Sequence, residues 1–372
     1  MSFTEAEAGF VEQRFEFLDI VRTRYPTYPL TIHEILEQTT RPVQSTLVDR
    51  LNGLTTAEAE EIAELMGNGL GVVHIVPRTF EFPERGQEHP LLAFAERLRQ
   101  ITPIGSPIEH PMEAHPDALA RFGQRDGTLK IYDLPIESGS DRYREQAETN
   151  EMFDGHNDGL GFAGLIKTVM FTLDSPPLVG GYTFFQNLVS IAPAIAAEDD
   201  EAFKALFLPD AITAIRPRGK GAIKVVAPVF FIGRDGIPQT FFRISTGEYQ
   251  IQWKHHDGLN RARSLLERLA RPFAPRSEFV NLVRPGETVV IDNQHVIHGR
   301  TPFVNPIEGP GRVLARKWFV PNESDSEYRH VPVVDVDRRW SRYFPEQFSA
   351  NRLTGEWHYD QELDENVPAE QT

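Results

Sequence analysis

The 372-residue chain contains no cysteine, which excludes disulfide scaffolds, zinc ribbons, thiol nucleophiles and iron–sulfur ligation and leaves histidine and carboxylate as the metal donors. It is also short of positive charge: 38 Lys and Arg stand against 54 Asp and Glu, a formal net charge of -16, with a pI of about 5.2. Such a chain lacks the clustered cations that neutralise phosphates, so neither nucleic acid nor an anionic membrane surface is an expected partner. No apolar run approaches the roughly 18 residues a membrane span requires. The opening stretch MSFTEAEAGFVEQRF has neither the basic start nor the apolar core of a signal peptide, so the cytoplasm is the expected location. No repeat of fixed period and no Pro- or Ser-rich linker interrupts the chain. What remains, 40% hydrophobic and 25% charged residues, is an ordinary globular composition with enough length for a sizeable core.

Helical periodicity is clearest at the start, where Phe10, Phe17, Leu18 and Val21 fall on one face of EAEAGFVEQRFEFLDIVRTRY. A second helix, TTAEAEEIAELMGNG, takes Thr55 or Thr56 as its cap and ends in glycines before GVVHIV, an apolar β-branched run suited to a buried strand. HPLLAFAERLRQI and DGLNRARSLLERLARPF read as further amphipathic helices. From Leu165 onward strands dominate: LIKTVMFTL, GGYTFFQNL, AIKVVAPVFFI, PQTFFRIS, ETVVIDN and RVLARKWFV, punctuated by Pro and Gly turns. Short strands without alternating helices predict an antiparallel sandwich or barrel. After WSRYFPEQF the chain turns polar and acidic.

The stretch MFDGHNDGLGF places His156 and Asp158 two residues apart among turn-forming residues, and taken alone it reads as a turn. PGETVVIDNQHVIHGRTPF alters that reading, because its strand runs into a turn that presents His298. Two histidines and a carboxylate, the third ligand distant in sequence, are the donor set of a 2-His-1-carboxylate centre in which iron(II) keeps positions open. A 2-oxo acid would need a fixed cation for its far carboxylate, best a bidentate guanidinium, and Arg312 in GRVLARKWF suits that need. Arg316 lies four residues on, an even spacing that returns a side chain to the same face of a strand, and could anchor an acid group of a substrate; the alternative is an ordinary ion pair. Lys317 falls on the opposite face, where solvation is expected. Thr183 in GGYTFF could add a hydroxyl to the co-substrate carboxylate, or be an ordinary strand threonine. A competing pair, His255 and Asp257, is better explained by Asp257 capping the helix that follows. His295 is expected to be structural or at a pocket rim, and His74, His110 and His115 have no partner pattern. Arg243 could line the pocket.

With these motifs the chain resembles the Fe(II)/2-oxoglutarate-dependent oxygenases of the taurine dioxygenase and clavaminate synthase-like superfamily, nearest the branch of asparagine and arginine hydroxylases of antibiotic pathways. GHND, GGYTFF, IDNQHVIHGRTPF and GRVLARKWF carry the likeness in that order, with fourteen residues from His298 to Arg312 and four more to Arg316. It runs from about Gly69 to about Val320. The resemblance implies a β-rich α+β fold with a double-stranded β-helix (jelly-roll) core and helical insertions, all in one domain over 1–372. The core would span about 69–320, with a helical extension over 1–68 and a polar acidic one over 341–372. It implies His156, Asp158 and His298 as iron(II) ligands, Arg312 and Thr183 on 2-oxoglutarate, Arg316 on substrate, and O2 as oxidant. The activity implied is hydroxylation of an unactivated C–H of a small carboxylate-bearing molecule, an amino acid or derivative.

One departure bears on the substrate. The amino-acid hydroxylases carry His-x-Glu where this chain has His156-x-Asp158, which weakens a free amino acid as substrate without weakening the metal site. Because Asp158 is present, chlorination is not expected. Three alternatives stay open. The same chemistry could end in desaturation, epoxidation or cyclisation; the substrate could be a sulfonate, an aryloxy acid or a carrier-bound group; or the chain could be a non-redox jelly-roll binding protein. A free amino acid would need an acidic partner for its ammonium, for which Glu151 and Asp154 are candidates. Oligomeric state is not legible.

Overall fold

Apolar strands that follow one another in the chain are placed in opposite sheets. The computed structural model describes residues 43–68, 71–83, 87–108, 127–135, 146–160, 166–218, 221–232, 238–240, 242–243, 250–270, 274, 277–321 and 335–336. The expected helix around Phe10, Phe17, Leu18 and Val21 and the extension over 341–372 lie outside them.

The first sheet runs β1 (Gln44–Arg50), β2 (Val72–Thr79), β15 (Thr288–Asp292), β6 (Thr168–Ser175), β18 (Val313–Val320), β3 (Ser106–Ile108), with β4 (Leu129–Tyr132) also paired to β18. The second runs β14 (Glu278–Val280), β8 (Thr183–Asn187), β16 (Val296–Arg300), β5 (Phe153–His156). From β5 to β6 to β8, and again from β14 through β15 and β16 to β18, the chain alternates between the two sheets. Smaller sheets flank them: β13 (Gln250–Trp253), β9 (Ile212–Arg218), β10 (Gly221–Ala227) and β19 (Asp335–Val336); β11 (Phe230–Ile232) with β12 (Pro238–Thr240); and β7 (Val179–Gly180) with β17 (Phe303–Val304).

Alternation along β6 and β18 explains where the core sits. Val169, Phe171, Leu173, Leu314 and Trp318 point into one large cluster with Phe185 and Ile297 of the second sheet. The intervening Met170, Ala315 and Phe319 point the other way, into a cluster with Ile62 of α1 (Thr56–Asn68) and Phe94 of α2 (Pro90–Arg99). The first sheet is thus covered on both faces, and this corrects the expectation for Lys317: it does lie on the face opposite Arg316, but that face is roofed by helices and Lys317 is only 3% exposed.

Other departures have local causes. The pairing is not wholly antiparallel, since β1 and β2 run parallel, and α1 supplies the crossover such a pair needs. Thr55 caps α1 through a reciprocal pair of bonds, its amide donating to Glu58 Oε2 (2.8 Å) and the Glu58 amide to Thr55 Oγ1 (3.3 Å). At α5 (Asp257–Leu269) the cap is His256, whose Nδ1 accepts from the Gly258 amide at 3.1 Å, and Asp257 is the first helical residue. Two helices, α3 (Leu188–Glu198) and α4 (Asp200–Ala205), occupy ground where only strands were expected. LVSIAPAIAAE is apolar almost throughout and so shows no amphipathic stripe to mark it as helix.

Asp174 on β6 ties three elements together. It accepts from His89 Nε2 at 2.9 Å, at the start of α2, and pairs with Lys130 of β4. Burial alone would raise its pKa, but His89 and Lys130 outweigh that and lower it. A carboxylate with a depressed folded pKa contributes stability above its unfolded value that is lost as pH falls through the folded one. Asp174→Asn is therefore expected to cost about 3 kcal/mol at neutral pH by stranding a buried cation. In thermal melts the gap from wild type should close as pH drops below about 4.

Candidate metal centre

Strand register sets the two histidines face to face. In the antiparallel pairing of β16 with β5, His298 lies opposite His156, and cross-strand neighbours of this kind bring side chains into contact. The two imidazole centroids are 4.5 Å apart. Phe153 stacks on His156 at 4.0 Å and Phe171 meets His298 edge-on at 5.6 Å, walling the rings in.

Asp158 reaches the same point from a turn just past β5. Asp158 and Gly159 form that turn, the Asn157 side chain is buried beside it, and His156 and Asp158 line the cleft. Gly159 has φ +83°, and a Cβ there would sit 2.3 Å from Ile166 Cγ1, so the position requires glycine. The Asp158 amide donates to Asn293 Oδ1 at 2.8 Å, and Asn293 Nδ2 donates to the carbonyls of Asp158 (3.0 Å) and Ile166 (2.8 Å). Asn157 Nδ2 donates to the Asn293 carbonyl at 2.5 Å.

Asp158 Oδ1 is then 3.4 Å from His156 Nε2 and 3.9 Å from His298 Nε2, and one donor atom from each residue lies within 4.8 Å of the others. Among the described residues no other group of His, Asp and Glu meets this condition, the His255 and Asp257 pair included. His156 Nδ1 lies 2.9 Å from the Asp154 carbonyl, which places the ring hydrogen there and the lone pair on Nε2. Both ring nitrogens of His298 are buried with no hydrogen-bond partner, a costly state that a bound cation would relieve. Burial, with repulsion from His156, pushes the His298 pKa down to about 3, so the ring is neutral and ready to ligate. Burial would raise Asp158, but Arg316 and the two histidines hold it well below the usual carboxylate range. Two imidazoles and one carboxylate lining one cleft fit a divalent first-row ion with open coordination positions.

The cleft, about 420 Å³, is lined by Thr183, Arg300, Arg312 and Arg316 beside Ile131, Phe171 and Leu314. Arg312, Leu314 and Arg316 alternate onto one face, as the even spacing predicts. Arg312 precedes β18 and is 2% exposed. Its Nη2 is 3.4 Å from the Gly181 carbonyl and its guanidinium lies 5.3 Å from the Phe303 ring. Among the described residues no carboxylate pairs with it, and burial together with Arg300 holds its pKa well below the guanidinium norm. Gly181, at φ +74°, leaves the needed room: a Cβ there would be 2.9 Å from Arg312 Nε. Thr183 opens β8, buried, with Arg300 as its cross-strand partner.

Arg316 has a carboxylate partner, and it is Asp158: Nη1 lies 3.2 Å from Oδ2. Two further participants were not singled out in the sequence. Trp318 Nε1 donates to the same Oδ2 at 2.7 Å; its even spacing from Arg316 was the available signal. Arg300, two residues past His298, donates to the carbonyls of Thr149 (2.8 Å) and Glu151 (2.6 Å) and lies 4.8 Å from Phe303. Burial pushes its pKa down to about 10. Arg243 bridges to His156 and donates to Gln146 Oε1 at 3.0 Å but does not line this cleft. His295 is structural, its Nδ1 2.6 Å from Asp292 Oδ2. His74 faces Glu287 at 3.6 Å, away from the centre. Glu151 is exposed, and neither it nor Asp154 lines the cleft. His110 and His115 lie outside the described residues.

The family model described as "Taurine catabolism dioxygenase TauD, TfdA family" matches residues 42–318. No curated protein matches the chain significantly. Similar solved structures include PvcB from Pseudomonas aeruginosa, at 17% identity over 81% of this chain and 93% of that one with a TM-score of 0.49. An asparagine oxygenase in complex with Fe(II), 2S,3S-3-hydroxyasparagine and succinate is 15% identical over 95% and 97%, with a TM-score of 0.48. A taurine dioxygenase from Burkholderia xenovorans is 17% identical over 79% and 94%, also at 0.48.

Gly299, between His298 and Arg300, tests how tightly this geometry is packed. A Cβ there would lie 2.3 Å from Phe184 Cε1 and 2.4 Å from the Phe153 carbonyl oxygen. Gly299→Ala is expected to destabilise the protein by at least about 2 kcal/mol through overpacking and to weaken divalent-metal binding, read by thermal melting and calorimetric titration.

Proposed function

The chain belongs to the taurine catabolism dioxygenase TauD, TfdA family, and on that premise we propose which of its residues carry out the chemistry. It is an Fe(II)- and 2-oxoglutarate-dependent dioxygenase, an oxidoreductase that uses Fe(II), 2-oxoglutarate and O2. His156, Asp158 and His298 hold the iron. The observation that carries this assignment is the buried His298 ring, neutral and with both nitrogens unpartnered, beside the inward oxygen of Asp158. Its strand arrangement is read as a double-stranded β-helix, within one domain.

Bound iron supplies the activation of dioxygen, coupled to decarboxylation of 2-oxoglutarate, that oxidises an unreactive C–H bond. The chain's own residues bind, orient and exclude. Arg312 takes the far carboxylate of 2-oxoglutarate: an enclosed guanidinium without a carboxylate partner among the described residues attracts an anion strongly where water cannot screen it. Thr183 adds its hydroxyl to that carboxylate. His156, fixed by the Asp154 carbonyl, keeps one tautomer. Phe153 and Phe171 pack against the ligand rings and keep water off them, while Ile131 and Leu314 present an apolar wall to the carbon skeleton.

Arg316, which lines the cleft, grips an acid group of the substrate. The substrate is a small carboxylate-bearing molecule, an amino acid or amino-acid derivative being the first class to test, and the product is hydroxylated. A second reading follows from the charge balance of the lining, where among the described residues three guanidinium groups face one carboxylate. That balance suits an acid without a free ammonium, such as a sulfonate, an aryloxy acid or a carrier-bound acyl group.

Anaerobic addition of iron(II) and then 2-oxoglutarate is expected to produce the weak visible charge-transfer band of a keto acid chelated to iron(II). The band should vanish in Asp158→Ala and His298→Ala and shift when the right substrate is added. Folded, iron-loaded protein without a band at saturating co-substrate would overturn the assignment. Arg312→Ala is expected to raise the KM for 2-oxoglutarate by ~10- to 100-fold, the loss of one charged hydrogen-bonding partner.

A further inference from the structure

We propose that Trp318 is the positioning residue that keeps one oxygen of Asp158 turned toward the two histidines. The inference rests on Asp158 being a metal ligand. Its basis is a division of labour between the two carboxylate oxygens. Oδ1 faces His156 Nε2 and His298 Nε2, at 3.4 and 3.9 Å. Oδ2 faces away from them and accepts from Trp318 Nε1 at 2.7 Å and from Arg316 Nη1 at 3.2 Å.

A carboxylate on a short side chain turns easily about its last torsion, which has a broad, roughly two-fold profile. Without an outer hold the two oxygens of Asp158 would exchange, and either or both could face the metal position. Of the two donors on Oδ2 among the described residues, Arg316 is the less dependable. It lines the cleft and is charged, so an arriving anion competes with Asp158 for it. The indole N–H is neutral, does not titrate in the physiological range, offers a single donor, and is buried on β18. Its hold persists when Arg316 is drawn aside.

The same indole serves Arg316 as a shelf, with the guanidinium carbon 4.3 Å from the ring centroid. One residue thereby fixes the carboxylate and limits how far its second donor can swing. Packing alone would be met by phenylalanine, and it is the N–H that demands a partner in this position.

The test is divalent-metal binding, which needs no turnover. Metal-free wild type, Trp318→Phe and Asp158→Ala are titrated with cobalt(II) by calorimetry, and the metal-free forms are melted in parallel. Removing an outer hydrogen bond to a metal ligand commonly costs 10- to 100-fold in affinity. Trp318→Phe is expected to bind cobalt about that much more weakly while its metal-free melting temperature stays near wild type, and Asp158→Ala to lose the site. If Trp318→Phe binds as tightly as wild type and Asp158→Ala does not, the positioning role is refuted and the metal centre stands. If Asp158→Ala also binds as tightly, the metal centre itself is refuted.

A second measurement uses wild-type protein, should Trp318→Phe not fold. The chain has four tryptophans, so a spectrum labelled at the indole nitrogens shows four N–H signals. Saturating zinc(II) is expected to shift one of them, and the shift should be missing in Asp158→Ala. Four unmoved signals on zinc binding would overturn the proposal.

Discussion

The side chain of Asn293, 135 residues beyond Asp158, accepts from the Asp158 amide and donates to the carbonyls of Asp158 and Ile166. Asn157 returns the contact by donating to the Asn293 carbonyl. This buried clasp joins the turn after β5 to the turn between β15 and β16, and so fixes the carboxylate relative to His298, five residues past Asn293. Each of these amide and carbonyl groups is enclosed and would be costly unpaired, which makes the arrangement stiff. It sets where Asp158 enters the cleft, beside the histidine pair that the β5–β16 register brings together.

Around that clasp the chemistry depends on keeping charge in a dry place. Arg300 and Arg312 lie against the same phenylalanine ring, 4.8 and 5.3 Å from Phe303, and each is buried. Two like charges held together at low dielectric are unfavourable. Arg300 is compensated by two backbone carbonyls, whereas among the described residues the Arg312 guanidinium has one long polar contact, to the Gly181 carbonyl. The asymmetry identifies Arg312 as the cation that gains most from an anionic ligand, and on the proposed reading that ligand is the co-substrate's far carboxylate.

β18 shows how one strand can serve two purposes. Of its inward residues, Leu314 and Arg316 wall the cleft, and Arg316 and Trp318 bind Asp158 Oδ2. Its outward residues Ala315 and Phe319 lie in the core under α1 and α2, and Lys317 is buried with them. A strand covered on both faces cannot shift register without exchanging charged for apolar groups on each side. The positions of Arg316 and Trp318 are therefore set by the packing behind them as much as by the site in front.

Much of this was legible in local pattern. The lack of cysteine confined any metal to histidine and carboxylate; the even spacing of Arg312 and Arg316 put them on one face; and the strands around Thr183, His298 and Arg316 were marked by β-branched and aromatic runs. The helix at LVSIAPAIAAE escaped because a uniformly apolar segment carries no period, and the parallel β1–β2 pair because QSTLVDR alternates weakly. By itself the sequence determined the residue types, their order and the side of each strand they occupy, since these follow from periodicities of two and 3.6 read along a few residues. Only the tertiary structure decided which groups meet: His298 opposite His156, Asp158 between Arg316 and Trp318, Arg300 beside Arg312. Those meetings join residues some 140 to 160 positions apart in several cases, and they depend on strand register and turn geometry, which a local pattern does not encode.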